Sequence, residues 1–324
     1  MNDPGIAYAA PAPPSGSGPR DLAARLPAAP GVYRFRDAAG RVLYLGRAVS
    51  LRRRVASYWG DLGDRAHLSP MVARIATLEA VVCDSAHEAA WLERNLLQTR
   101  TPPWNRVSTG GQEAEVWIKL SDHPRAPGVT VVYQRKDADR YFGPYLGGRQ
   151  VRLAASGLRR AFPLHYTGGP DSGSRHEMAL IRGVSAADRT ALARQVAAVL
   201  DRDPAAVASL RASLAARRDA ASAVLSFELA ARLQQEIEAL DWVTAEQKVT
   251  SPGQPDHDVC GWSDGILVSF AFHKGRLTDW TQRHCAEQSA RPQLAQTPLR
   301  WAAFAHRTAE LAARLAPSSS RSRA

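Results

Sequence analysis

Two tyrosines, Tyr33 and Tyr44, stand in short apolar runs on either side of Asp37-Ala-Ala-Gly40, a turn signal of the kind that joins hairpin strands. The second run, Val42-Leu43-Tyr44-Leu45-Gly46, breaks at a glycine. A basic amphipathic segment follows, with Leu51, Val55, Tyr58 and Trp59 on one face and Arg52, Arg53 and Arg54 around it. The pattern predicts strand, turn, strand, helix. The hairpin aligns two phenols, and the helix brings guanidinium groups beside them. A guanidinium is a planar fork of donors that matches phosphate with two parallel hydrogen bonds, so the chemistry indicated is that of a phosphate-bearing ligand.

Composition agrees. The 324 residues carry a formal charge of +11, and 45% are apolar, enough to build folded cores in two or three domains. Only Lys119, Lys136, Lys248 and Lys274 are lysines, so nearly all the positive charge is arginine. A basic balance of this kind points to nucleic acid. Cys83, Cys260 and Cys285 show no CxxC or metal-type spacing, which argues against a disulfide framework and for a reducing, cytoplasmic setting. No apolar run has the length of a membrane span, so no membrane partner is expected.

The rest of the first 107 residues must position these groups. A helix is expected over 67–78, with Met71, Ile75 and Leu78 on one face, then a short β-prone run, Glu79–Cys83. Asp84-Ser85 can cap a third helix over about 86–98, and Pro102 and Pro103 end the unit. Glu88 and Glu93 lie on that helix, five residues apart and so on different faces, with Glu88 expected to face solvent. This is a small α+β domain, a three-stranded sheet with flanking helices.

Gly31-Val32-Tyr33 and Tyr44-Leu45-Gly46, followed by Arg54, Tyr58, Leu92-Glu93-Arg94-Asn95-Leu96-Leu97 and Pro102-Pro103-Trp104-Asn105, resemble the GIY-YIG nuclease family, in particular its UvrC-like excision-repair branch. The resemblance implies a catalytic set of Tyr33, Tyr44, Arg54 and Glu93. Glu93 would be the one protein ligand of Mg²⁺ or Mn²⁺, Tyr44 the general base or relay for the attacking water, and Arg54 the clamp on the scissile phosphate. Tyr33 would orient the water. Gly46, Arg47, Tyr58 and Asn105 would support the site, with Arg47 standing where the branch commonly has lysine. Arg47, Arg52, Arg53 and Arg54 would meet DNA.

The organisation expected along the chain is a flexible leader over 1–20, the nuclease domain over 21–107 and a connecting segment over 108–175. A helical region over 176–249 follows, then a small C-terminal α/β segment over 250–316 and a disordered tail over 317–324. In the connecting segment, Val116–Leu120 and Val129–Tyr133 are strand-like, Tyr141–Tyr145 reads as a tight aromatic turn, 151–162 as a basic helix and 167–175 as a loop. The turn and the Phe162-Pro163-Leu164 that follows also look UvrC-like, but the cysteines usual after that tripeptide are absent, and with them the metal or iron–sulfur centre they would hold. Helices over 205–223 and from Phe227 would form an αα-hairpin whose apolar face is Phe227, Ala231 and Leu240. It resembles the UVR motif, with Gln234-Gln235 in place of the usual Arg-Asp. The resemblance implies docking on UvrB through Phe227, Glu228 and Ala231. Val259–Phe272 with Gly275–Thr281 reads as a hairpin and Trp301–Leu315 as a closing helix. Asp256, Asp258 and Asp264 read as solvated loop acids.

The implied function is a metal-dependent DNA endonuclease of a shortened UvrC kind, making the 3′-side nick of nucleotide excision repair with UvrB. The second nuclease domain of that branch is not expected in this length of chain. Two alternatives share the fold: a non-catalytic adaptor for DNA and UvrB, and a lesion-independent, structure-specific nuclease.

Overall fold

The computed structural model of the chain describes residues 19–105, 114–136, 138–169, 173–251 and 256–316. The expected leader up to residue 18, the tail from 317 and most of the linker at 252–255 lie outside the described residues. The chain divides into two compact units, one of residues 1–107 with 249–324, the other of 108–248.

The first unit begins with helix α1 (Pro19–Ala24) and strands β1 (Gly31–Arg36) and β2 (Val42–Ala48). The hairpin turn is fixed by Asp37, whose Oδ1 accepts the N–H groups of Ala39 (3.0 Å) and Arg41 (2.9 Å). Strand β2 does not stop at Gly46. It runs on to Ala48 because Gly46 pairs with Tyr33 and Ala48 with Gly31. Helix α2 (Leu51–Ala56) buries Leu51 and Val55 and is followed by a 3₁₀ turn, Ser57–Trp59. The helix expected over 67–78 is replaced by a 3₁₀ segment (Gly63–Leu68), a single turn α3 (Ser69–Val72) and strand β3 (Thr77–Val82). Met71 and Ile75 are buried as expected, but Leu78 is captured by the ladder that pairs β3 with β1, from Arg36↔Thr77 to Gly31↔Val82. Non-local pairing there overrides a local helical period. The sheet order is β2-β1-β3.

Helix α4 (Ala86–Thr99) is capped by Ser85, whose side chain accepts from the Glu88 N–H at 2.9 Å. Glu88 does not face solvent. It is fully buried, and its Oε2 accepts the Asp84 N–H at 2.7 Å, so the acid closes the helix start as a reciprocal cap.

The second unit carries a sheet of β4 (Glu115–Ser121), β5 (Gly128–Val132) and β6 (Arg140–Leu146) in the order β5-β4-β6. The expected aromatic turn at 141–145 is strand β6 itself. A register shift between Val116 and Ile118, opposite Gly143 at φ +127°, lets both Phe142 and Tyr145 face inward. Helices α5 (Gly148–Ala161), α6 (Ser174–Ile181), α7 (Arg189–Leu200), α8 (Pro204–Ala223) and α9 (Phe227–Thr244) follow. The expected 167–175 loop contains a 3₁₀ end at Leu164–Thr167 and the start of α6, and residues 170–172 lie outside the described ones. Helices α8 and α9 form the antiparallel pair, but its buried face is Leu210, Leu214, Leu233, Ile237, Ala239 and Leu240. Phe227 and Ala231 are exposed, because the core stripe of α9 begins one turn later.

Residues 249–316 return to the first unit. Strands β7 (Asp258–Ser263), β8 (Ile266–His273) and β9 (Arg276–His284) form a meander. Its turns are Asp264-Gly265 and Lys274-Gly275, all four residues with positive φ, the two-residue hairpin type that suits strand twist. Asp264 is thus a turn residue. Helices α10 (Glu287–Gln296), which the sequence did not announce, and α11 (Leu299–Leu315) close the chain. A side chain at Gly261 would meet the Ala305 carbonyl at 2.2 Å, so α11 lies directly on β7.

This segment builds part of the first unit's core. Leu311 and Leu315 share one apolar cluster with Tyr33, Phe35, Leu43 and Val82. Arg34, buried on the other face of β1, bonds Glu79, donates to the Trp280 carbonyl at 2.8 Å and stacks 3.8 Å over the Trp280 ring. Asn95 of α4 donates to Thr250 Oγ1 at 2.9 Å and to the Val249 carbonyl at 3.2 Å. Truncating Leu311 to Ala should therefore cost about 2–5 kcal/mol in urea unfolding of this unit and speed amide exchange in β1 and β3. Unchanged exchange in those strands would show that the C-terminal segment is not part of their core.

Candidate active site

Strand alternation puts Tyr33 and Phe35 on one face of β1 and Arg34 on the other. The register places Tyr33 opposite Gly46 and Phe35 opposite Tyr44, so both phenols of the hairpin share the face covered by α2. Tyr58, just past α2, completes a cluster of three. The ring centroids lie 6.3 Å (Tyr33–Tyr44), 6.0 Å (Tyr33–Tyr58) and 6.0 Å (Tyr44–Tyr58) apart. The hydroxyls of Tyr33 and Tyr58 are hydrogen-bonded at 2.7 Å, and the Tyr44 phenol is coupled electrostatically to Tyr58. Gly46 is what makes room. A Cβ there would stand 2.6 Å from the Tyr33 hydroxyl and 2.8 Å from the Tyr44 ring.

Arg54 reaches the same cluster, its charge coupled to the Tyr33, Tyr58 and Tyr44 phenols and its guanidinium 5.8 Å from the Tyr58 ring centroid. A second guanidinium, that of Arg65, stands 5.0 Å from that ring. Sequence reasoning missed it, since the Gly63–Leu68 segment carries no spacing that places it by the hairpin. Glu93 projects from α4 to the rim beside β2. Its Oε1 accepts the Arg47 N–H at 3.0 Å, and its Oε2 lies 3.2 Å from the Arg47 Nε. Its charge acts on the Tyr44 phenol. Asn105 grips the outer edge of β2, accepting the Leu45 N–H at 2.9 Å and donating to the Leu45 carbonyl at 2.7 Å. Trp104 N–H bonds the Leu43 carbonyl at 3.1 Å. Together these two residues occupy an edge that would otherwise expose unpaired ladder groups.

The structure thus brings together Tyr33, Tyr44, Gly46, Arg47, Arg54, Tyr58 and Glu93, with Asn105 holding the strand that carries three of them. Arg52 and Arg53 are exposed, and the Arg52 Nε donates to the Leu26 carbonyl at 2.7 Å. Phe227, Glu228 and Ala231 are exposed on α9 of the second unit.

Burial, then the neighbouring phenols, push the Tyr33 phenol well above its usual range. Tyr44 is raised by burial, by Tyr58 and by the Glu93 charge. Burial works against the Arg54 charge, but its phenol contacts outweigh that and hold it above its ordinary value. At neutral pH Tyr33 and Tyr44 are un-ionised phenols beside a fixed cation. Among the described residues no group of three or more His, Cys, Asp or Glu side chains could hold a metal ion. A hard cation that takes one carboxylate, waters and a substrate oxygen could be held by a single partly exposed acid such as Glu93, once parted from Arg47.

Gly46→Ala should destabilise the first unit by about 1–3 kcal/mol through overpacking. The Tyr33 and Tyr44 phenols also carry a pH signature. Their folded-state values are raised, so their stabilisation is complete below the unfolded phenol value of about 10 and is lost as pH rises above it. Urea midpoints should fall above about pH 10, and Tyr33→Phe should flatten that fall. A pH-independent midpoint in the parent protein would contradict the buried cluster.

Comparison with known proteins bears on the same residues. A family model described as the UvrC-like GIY-YIG domain matches residues 29–106. The protein named UvrABC system protein C from Geobacter metallireducens is 38% identical over 144 residues, 44% of this chain and 23% of that one. Its namesakes from Chlorobaculum tepidum and Desulforudis audaxviator are 31% and 32% identical over 276 and 284 residues, 78% and 80% of this chain but 43% and 44% of theirs. The chain therefore spans less than half the length of these relatives. A solved structure, the GIY-YIG N-terminal endonuclease domain of UvrC from Thermotoga maritima bound to its catalytic divalent cation, magnesium, is 30% identical. It covers 27% of this chain and 94% of that one, with a TM-score of 0.25. Through residues 29–106 the chain belongs to the UvrC-like GIY-YIG family.

Proposed function

We propose that this protein is a metal-dependent DNA endonuclease of nucleotide excision repair that makes a single nick, on the 3′ side of a lesion. The observation that carries the reading is the meeting of Tyr44 and Arg54 in one phenol cluster with Glu93 at the rim of β2, its charge acting on Tyr44, inside the stretch matched by the family model.

The chemistry follows from the side chains. Arg54 donates two parallel hydrogen bonds to the scissile phosphate. Tyr44 accepts a proton from the attacking water, with Tyr33 and Tyr58 orienting that water through their shared hydroxyl network. A phenol held above its ordinary value is a base only when cations oppose the shift, and Arg54 is the cation the chain itself supplies. Glu93 would hold Mg²⁺ or Mn²⁺, which when bound neutralises charge at the phosphate and assists the leaving oxygen. Arg47 has to give up the Glu93 side chain for this. The pair is 42% and 22% exposed, so parting it costs at most about 1 kcal/mol.

DNA is the substrate supported by the arginine-dominated charge and by the exposed Arg53 and Arg52 around α2. UvrB is the proposed partner, met by the turn of the α8–α9 pair. Val224, Leu225, Phe227 and Leu229 are 71%, 72%, 63% and 44% exposed there, an apolar cluster that a partner would cover. Gln234 is turned inward along the pair to accept from Arg218 at 2.7 Å, which leaves that tip unobstructed.

One observation favours the adaptor reading: in this structure Arg47 engages the Glu93 carboxylate at both oxygens. Supercoiled plasmid, damaged or intact, with Mg²⁺ or Mn²⁺ and with or without UvrB, separates the readings. The expected result is nicked circles from the parent protein and at least ~10³-fold fewer from Glu93→Gln. The rate should rise roughly tenfold per pH unit through neutrality, since the Tyr44 phenol is raised and only its ionised fraction accepts the proton. Nicking that survives Glu93→Gln refutes the site. No nicking under any condition leaves the adaptor, and nicking of intact DNA without UvrB the lesion-independent nuclease.

A further inference from the structure

Arg65 has no part in the chemistry above, yet its guanidinium ends beside the Tyr58 ring of the phenol cluster. The chain returns there by a tight turn. Asp61 Oδ1 accepts the Gly63 N–H at 2.9 Å, Gly63 has φ +50°, and the Arg65 N–H closes on the Leu62 carbonyl at 2.9 Å. From that turn the Arg65 Nη2 donates to Ser57 Oγ at 3.0 Å, and Ser57 Oγ donates to the Arg54 carbonyl at 2.7 Å. The guanidinium carbon lies 5.0 Å from the centre of the Tyr58 ring. Arg65 thus touches Ser57 and Tyr58, the two residues just past α2, and through the Ser57 hydroxyl it is tied to the turn that carries Arg54. Its Nη1 is buried without a hydrogen-bond acceptor.

That unpaired donor decides between two roles. An arginine serving only to tie down the 62–65 turn would be a poor investment, because a buried cationic N–H without an acceptor offsets much of what the Ser57 bond contributes. The fold gains little from it. The Tyr58 ring and the Arg54 carbonyl gain a fixed neighbour. We propose that Arg65 is a positioning residue of the nuclease centre, acting through Ser57 and the Tyr58 ring to hold the end of α2, so that Arg54 and the Tyr58 hydroxyl keep their places when DNA is engaged. The proposal rests on the nuclease reading above. It does not make Arg65 a ligand of phosphate or metal.

The test uses the full chain under conditions in which it nicks a DNA duplex, with kcat and KM measured separately and melting temperature followed alongside. Arg65→Ala should lower kcat about 10- to 100-fold, the usual consequence of a catalytic group displaced by an ångström or so, with KM within about twofold. Its melting temperature should stay within about 2 °C of the parent. Ser57→Ala should lower kcat several-fold, and the double variant should be no slower than Arg65→Ala alone, since both act along one path. Arg65→Lys keeps a cation near the ring but loses the fork, and should fall to the Ser57→Ala level. Parent-like kcat in Arg65→Ala overturns the proposal. So does a loss confined to KM, which would make Arg65 a DNA contact. So does a loss that tracks a lowered melting temperature in all the variants. A parent protein that never nicks overturns the nuclease reading and this inference with it, whereas nicking with an indifferent Arg65 overturns this inference alone.

Discussion

The arrangement rests on a missing side chain. Opposite Tyr33 in the antiparallel ladder the chain has Gly46, and the space a Cβ would need is filled by the Tyr33 hydroxyl and the Tyr44 ring. Three phenols can then share one small volume on one face of a two-stranded ribbon. The consequences are electrostatic. Crowded and buried, the Tyr33 and Tyr44 phenols resist ionisation, the more so for the phenols beside them. Such a cluster is chemically inert at neutral pH until cations are brought to it. Arg54 enters from α2, and Glu93 provides, at the rim, a carboxylate suited to recruiting a second cation.

Holding that geometry takes most of the first unit. Strand β2 is an edge, and Asn105 and Trp104 pair with its outer groups so that Tyr44 and Gly46 do not slide. Helix α4 carries Glu93 and is fixed at its start by the Ser85–Glu88 reciprocal cap and along its length by Asn95 on the Val249 carbonyl and the Thr250 hydroxyl. The other face of β1 is sealed by Arg34 on Trp280, and Leu311 and Leu315 complete the apolar cluster behind the phenols. Residues that follow the whole second unit in sequence are thus needed to finish a core whose chemistry lies in the first hundred.

How much of this was legible follows from what each residue depends on. Tyr33, Tyr44 and the turn at Asp37–Gly40 could be read because strand alternation and turn chemistry are local. Ser85 could be read as a cap for the same reason. Leu78 could not, because a period of three or four fits a helix until the ladder with β1 claims it. Glu88 was misread because its acceptor role depends on the Asp84 backbone folding back over it. The apolar face of α9 was placed a turn early, since the sequence does not say where the partner helix ends. Arg65 was invisible: only the path of the chain after α2 brings it to Tyr58. The attachment of 249–316 was hidden for the same reason, being a matter of contacts across more than a hundred residues.

In the proposed reading Glu93, at the rim of the hairpin beside Tyr44 and Arg54, gathers one divalent cation. Electron paramagnetic resonance of Mn²⁺ added to the full chain, with a phosphorothioate duplex that resists cleavage, measures this without requiring turnover. One Mn²⁺ per chain, lost in Glu93→Gln and kept in Tyr44→Phe, is expected. Binding of Mn²⁺ unaltered by Glu93→Gln would mean that the cation sits elsewhere and that the convergence described here is not a catalytic one.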